Sequence, residues 1–204
     1  AGLSRGLGDV YKRQILNNLD LKLVKVIDTH IHADHISALN ELNKRTNCIR
    51  VMGEKSKSEV IDLRIKDGEK IKVEEVELQA IYTPGHTDCS YSFLMNDRVF
   101  TGDTLLINGS GRTDFQNGNA YDAYDSIFNK LLKLPEKTLV FPAHDYNGKK
   151  FSTIENEKNN NPRLQVSSKE EYADIMNNLN LANPKMMDVA VPANVKGLTL
   201  DNIN

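Results

Sequence analysis

Cysteine is scarce in this 204-residue chain: Cys48 and Cys89 are the whole supply. Two thiols cannot staple a small secreted scaffold, so a disulfide framework is excluded and a reducing compartment is expected. No apolar run approaches the ~20 residues that span a bilayer, so no membrane partner is expected. An excess of one charge is also missing. The formal charge is -2 and basic residues come at most in pairs such as Lys149-Lys150, which leaves no electrostatic footprint for nucleic acid. There is no repeat, and no low-complexity tract beyond Asn159-Asn160-Asn161. Ordinary apolar and charged fractions argue against disorder, collagen and coiled coil. The length suits one domain with a real core.

Residues 1–14, AGLSRGLGDVYKRQ, lack an initiator Met and an apolar h-region. They match no signal-peptide layout and read as a non-native leader, with residues 15–204 as a single domain. The expected location is cytoplasmic, with an organellar address left open by the leader.

From Ile15 the text alternates short strands and helices. Ile15, Leu16 and Leu19 suggest the tail of a helix, and Leu21 to Ile27 reads as a buried strand. Ile36, Leu39 and Leu42 predict a helix over His35 to Arg45. A strand over Cys48 to Met52 leads into a β-rich tract: Val60 to Ile65, a turn at Asp67-Gly68, Lys70 to Val73, and Val76 to Tyr82. Tyr91 to Met95 and Arg98 to Thr101 flank Asn96-Asp97 as a hairpin. Tyr121 to Leu134 reads as a helix closed by Pro135, and Thr138 to Phe141 as a strand. Ser168 and Glu171 suggest a capping box for a helix to Leu179. The stretch from Asn183 reads as a surface wrap. Strands punctuated by helices argue an α/β or α+β layered fold.

Histidine is the informative scarcity. The chain holds five, all in three short clusters. These are Thr29-His30-Ile31-His32-Ala33-Asp34-His35, His86 in Thr83-Pro84-Gly85-His86-Thr87, and His144 in Pro142-Ala143-His144-Asp145-Tyr146. Each cluster follows a predicted strand, where a rigid scaffold presents functional groups. A lone histidine is more often a satisfied core or surface residue. Five at strand ends, with none elsewhere, point to a metal site of mixed imidazole and carboxylate donors, suited to zinc, iron or manganese. Extended backbone would point His30 and His32 to one side; Asp34 and His35 need a turn to follow. Asp103, in Phe100-Thr101-Gly102-Asp103-Thr104, stands after another strand and adds carboxylate charge.

HxHxDH, then GH, then GD, then a last His after a strand resembles the metallo-β-lactamase superfamily. The fold implied is an αββα four-layer sandwich, here without its N-terminal strands, since the leader stands where the family carries them. In that superfamily His30, His32 and His86 would form one metal pocket, Asp34, His35 and His144 the other, with Asp103 bridging. Gly109-Ser110-Gly111-Arg112-Thr113-Asp114-Phe115-Gln116, with PAHDY, Asn161-Pro162-Arg163-Leu164 and Val191-Pro192-Ala193-Asn194, narrows the likeness to the persulfide dioxygenases, also called sulfur dioxygenases. The sibling glyoxalase II shares a Gly-Arg here but lacks the RTDFQ extension.

That resemblance implies one Fe(II) per chain on His30, His86 and Asp103, with His32, Asp34, His35 and His144 as its polar surroundings. The implied reaction takes glutathione persulfide and O2 to sulfite and glutathione, the chemistry of sulfide detoxification. Arg112, Asp114 and Tyr146 are the implied catalytic-rim residues: Arg112 and Tyr146 for the glutathione carboxylates, Asp114 to lock Arg112. A structural Arg112–Asp114 bridge is compatible with that role. Phe115 and Phe141 are expected in the core, and Lys149 and Lys150 at the surface. The alternatives are a glyoxalase II-like hydroxyacylglutathione hydrolase with a binuclear zinc site, and an inactive truncated fragment. A metal-dependent nuclease fits least, given the near-neutral charge. A homodimer and a functional link to a rhodanese complete the expectations.

Overall fold

The computed structural model describes residues 14–145, 147–199 and 202. They fall into two compact units. One runs to Met52 and adds Ser56–Arg64 and the stretch from Ala182; the other comprises Gly53–Lys55 and Ile65–Leu181.

The first unit opens with a short helical stretch over residues 14–18 (α1). β1 (Lys25–Ile27) and β2 (Ile49–Gly53) run parallel, joined by α2 (Leu39–Thr46) as a βαβ crossover. β3 (Leu63–Ile65) borders β2, giving the order β1-β2-β3. The strand expected over Leu21 to Ile27 forms only at its end, and Leu21 is 57% exposed. The partner strand is the reason: β2 begins at Ile49, whose N–H bonds to Val24 O, so among the described residues the β1–β2 ladder starts there. α2 buries Leu39 and Leu42 and stops at Asn47 in the left-handed region (φ 57°). It starts at Leu39 rather than His35, because the preceding residues are bound into the histidine loop.

The second unit holds a six-stranded sheet. Its strands are β4 (Lys70–Val73), β5 (Val76–Tyr82), β6 (Tyr91–Leu94), β7 (Arg98–Gly102), β10 (Leu139–Pro142) and β11 (Ser152–Thr153), in the order β11-β10-β7-β6-β5-β4. β8 (Leu105–Leu106) and β9 (Gly109–Ser110) form a small separate hairpin. α3 (Ala120–Tyr124), α4 (Ile154–Asn160) and α5 (Lys169–Asn177) supply the covering helices. Val99 of β7 and Val140 of β10 meet Ala123, Ile127, Ile154 and Tyr172 in one buried core. Each such aliphatic side chain contributes roughly 1.5–3 kcal/mol by leaving water.

The helix expected over Tyr121 to Leu134 is helical but not uniform. α3 widens into π-type turns over Asp125–Lys130 and tightens into a 3-10 turn over Leu131–Lys133. The expected capping box of α5 is displaced by one residue: Ser168 Oγ accepts from Glu171 N, while the Glu171 carboxylate accepts from the Ser167 amide and hydroxyl. The expected surface wrap after Asn183 is corrected by α6 (Met187–Lys196), which returns to the first unit and buries Ala190 and Ala193. Pro192 lies inside it and gives up one intrahelical hydrogen bond. The small residues at 190 and 193 let the helix seat all the same.

Candidate metal centre

In the second unit, strand direction assembles the donors. β5 and β7 each run antiparallel to β6, and β10 runs parallel to β7. The C-terminal ends of β5, β7 and β10 therefore point the same way, and these ends lead to His86, Asp103 and His144. His86 Nε2 lies 3.6 Å from Asp103 Oδ2, and His144 Nε2 lies 3.6 Å from Asp103 Oδ1. Ala143 N–H donates to Gly102 O (3.0 Å), tying the last two loops together. The Asp145 carboxylate accepts from the amides of Asn147 and Lys149, which folds the chain beyond His144 into a turn.

The TPGHT loop is gripped from α3. Gly85 has φ 138°, and a Cβ there would sit 2.3 Å from Ala123 Cα, so both conformation and space demand glycine. Asn119 N–H donates to Gly85 O (2.8 Å), and the Ser126 hydroxyl donates to Pro84 O (2.6 Å). His86 is 8% exposed. Its Nδ1 lies 2.8 Å from Arg112 O. A carbonyl can only accept, so Nδ1 carries a proton, and Nε2 is the ring nitrogen that faces Asp103.

Arg112 is thus tied to the site through its own backbone. Its guanidinium makes a paired contact with Asp114 (2.6 Å twice), donates to Leu181 O (3.1 Å) and lies 4.5 Å from the Phe115 ring centroid. The Arg112 cation holds the Asp114 carboxyl below the usual carboxylate range, and Asp114 raises the Arg112 guanidinium in return. Phe115 departs from the expected core position: it is half-buried and meets the His86 ring edge-on at 6.1 Å. Phe141 is also half-buried, in an aromatic row with Phe100 and Phe151.

Behind this loop, the NPRL segment holds its root. The fully buried Asn161 amide donates to Gly109 O (2.9 Å) and to Glu157 Oε2 (2.8 Å), and the same Glu157 oxygen accepts from Asn108 N–H (2.8 Å). Arg163 donates to Ser110 O.

In the first unit, β1 delivers THIHADH. His30 is 2% exposed, and its Nδ1 lies 2.9 Å from Thr29 Oγ1. The rings of His30 and His32 are 4.3 Å apart, and those of His32 and His35 are also 4.3 Å apart. Asp34 Oδ1 takes the His35 Nδ1–H bond at 3.0 Å. His32, Asp34 and His35 offer donor atoms within 4.8 Å of one another.

Asp28, not foreseen from the sequence, lies 3.8 Å from His32 Nε2 and accepts from the Ser37 hydroxyl. Burial works to raise its carboxyl. The bond and charge of His32 and the Ser37 hydroxyl outweigh that and hold it below the usual carboxylate range.

Each unit therefore gathers its own share of the expected residues: His30, His32, Asp34 and His35 in one, His86, Asp103, His144, Arg112 and Asp114 in the other. Tyr146 lies outside the described residues, as do residues 1–13 of the expected leader. Lys149 and Lys150 are exposed, as expected, and Cys48 and Cys89 are buried thiols. The donors suit a metal. A buried imidazole with Nδ1 committed to a carbonyl beside a carboxylate is how proteins fix a metal-ligating nitrogen.

The metallo-beta-lactamase superfamily matches residues 6–144. The human protein named "Persulfide dioxygenase ETHE1, mitochondrial" is 44% identical over 186 residues, which cover 90% of this chain and 72% of that protein. The chain belongs to the persulfide dioxygenase family of that superfamily. Within this family, the crystal structure of ETHE1 from Myxococcus xanthus superposes with a TM-score of 0.90 at 47% identity, covering 93% of this chain and 83% of the other. The metallo-β-lactamase α+β fold is thereby established for the chain. A hydroxyacylglutathione hydrolase of Dictyostelium discoideum is more distant, at 32% identity over 69% of this chain and 56% of its own length. No helix among the described residues is long and apolar enough to cross a membrane.

Proposed function

We propose that this chain is an iron-dependent persulfide dioxygenase: glutathione persulfide, O2 and one water give glutathione and sulfite. The observation that carries this reading is the Gly111–Gln116 loop. Its RTDFQ extension separates the family from the hydrolases, and the Arg112 carbonyl engages His86 Nδ1. His30, His86 and Asp103 would hold the metal as two imidazoles and one carboxylate. Ferrous iron, when bound, supplies affinity for thiolate-like sulfur and the activation of O2.

The remaining residues act by position and charge. The planar Arg112 guanidinium, set by Asp114 and the Phe115 face, suits a glutathione carboxylate. His144 flanks the second Asp103 oxygen and orients that carboxylate. His32, Asp34 and His35 serve as polar surroundings rather than ligands. The reading also carries a rhodanese-type enzyme that supplies or consumes persulfide, a homodimer, and a cytoplasmic location, checked by coupled assay, sedimentation and fractionation.

The test is anaerobic purification and metal analysis, followed by parallel oxygen-electrode and thioester assays. One iron per chain and O2 uptake with glutathione persulfide are expected. His30→Ala, His86→Ala and Asp103→Ala should each lose iron and at least about a thousandfold in rate, on the order of 4 kcal/mol. Full activity in any one of them would sink the ligand assignment.

One observation favours a second reading: the close donor set of His32, Asp34 and His35 suits a second metal, as in a binuclear thioester hydrolase. Two metals per chain with cleavage of lactoyl-glutathione in the absence of O2 would replace the dioxygenase reading. Soluble folding without any metal would return the inactive fragment.

A further inference from the structure

The THIHADH loop has no regular secondary structure to hold it, yet it must keep His30 and the three polar side chains around it in register. One side chain from the far end of the sequence spans it. Asn194 Nδ2 donates to His32 O (2.8 Å) and to His35 O (2.9 Å), and Asn194 Oδ1 accepts from Ser37 N–H (2.8 Å). These bonds close the turn by which Asp34 and His35 come round to the side of His32. Asn194 is itself fixed: its carbonyl accepts from the Ser58 hydroxyl (3.2 Å), and the next carbonyl, Val195 O, accepts from Glu59 N–H (2.8 Å). All of these residues lie in the first unit.

Only a carboxamide meets the demand. Two loop carbonyls need donors and one loop amide needs an acceptor, all within reach of a short side chain. Asp supplies the acceptor but sets an anionic oxygen against two carbonyls. Ala supplies nothing and leaves three loop groups without these partners. Helix α6 brings Asn194 to the loop on a packed face, through Ala190 and Ala193.

We propose that Asn194 is a positioning residue for the metal-binding loop: it touches no substrate and acts by fixing the backbone of His32 through Ser37. The inference rests on the reading of THIHADH as a metal loop, and two measurements keep the two apart.

The first measurement is hydrogen exchange on the metal-free protein. In Asn194→Ala the Ser37 amide and its neighbours should exchange about tenfold to a hundredfold faster, the effect of losing one or two net hydrogen bonds. Amides of α2 should be unchanged. The second is competition binding of ferrous iron, anaerobically, and of zinc, on the full chain. Asn194→Ala should weaken binding about tenfold to a hundredfold, within the range seen when supports of metal ligands are removed. Asn194→Asp should weaken it at least as much, and Asn194→Gln less. Leu42→Ala, a core truncation in α2, is the stability control. It should lower the melting temperature without changing the metal affinity.

Unchanged exchange at residue 37 in Asn194→Ala would overturn the inference, whatever the metal does. So would metal affinity that falls equally in Leu42→Ala. A wild-type chain that binds neither metal would instead sink the metal reading, while the exchange result still decides whether Asn194 holds the loop.

Discussion

Alanine at position 111 should damage the metal centre more than its single added methyl suggests. A Cβ on Gly111 would lie 1.9 Å from Asp103 O and 3.1 Å from His86 Cγ. The nearer atom is backbone, so no rotamer change relieves the clash. Recovering ordinary van der Waals contact takes a displacement of roughly 1.5 Å, and it must come from the GD loop or the GRTDFQ loop. Either movement alters the 3.6 Å approach of His86 Nε2 to Asp103, or strains the 2.8 Å bond from His86 Nδ1 to Arg112 O. Overpacking of this kind costs about 1–3 kcal/mol, and a rigid backbone obstacle belongs at the upper end. A misplacement of about 1 Å in catalytic geometry costs about a hundredfold in rate. Gly111→Ala should therefore lose about 3 kcal/mol in urea unfolding, bind less than one metal per chain, and take up O2 about a hundredfold more slowly. Gly109→Ala is the internal control: its Cβ would meet only Leu106 Cβ, at 3.9 Å, and should stay within about 0.5 kcal/mol of the parent. If the two variants behave alike in stability and in metal content, the steric argument is wrong.

Arg112→Lys keeps the charge but loses the planar fork, so KM for glutathione persulfide should rise about tenfold to a hundredfold with a smaller change in kcat. Asp114 has a depressed carboxyl, so its contribution is present above the ordinary carboxylate pKa and lost as pH falls through the lowered value. Because Asp114 is half exposed, that contribution is below about 1 kcal/mol; Asp114→Asn should flatten the acid limb of a melting-temperature profile only slightly. Asn161→Ala removes donors to Gly109 O and Glu157 inside the core and should cost about 2–3 kcal/mol in chemical denaturation. An unchanged denaturation midpoint in that variant would remove the NPRL segment from the account of how the Arg112 loop is held.

The candidate metal donors were legible because their chemistry is rare and local. Five histidines, each just after a strand, declare themselves by composition and spacing, and β5, β7 and β10 form where the β-patterning predicts them. Direction was not legible in the same way: that three strands end at one side of the sheet follows from pairings between segments up to about forty residues apart. The supporting residues were hidden for a further reason. Asn194, Asn161 and Glu157 are common residue types, and each acts on backbone groups of a loop 49 to 162 residues away. Backbone carbonyls leave no trace in a sequence, so a side chain that recognises them carries no complementary signal. The same reasoning explains Gly111, whose value lies in the methyl it lacks against Asp103 O. It also explains Phe115, an aromatic in an otherwise polar loop. Hydrophobicity assigned it to the core, while the Arg112 cation and the His86 ring give it a place beside the site. Donors can thus be found by residue type, but the parts that hold them become visible only when their hydrogen bonds are traced to the end.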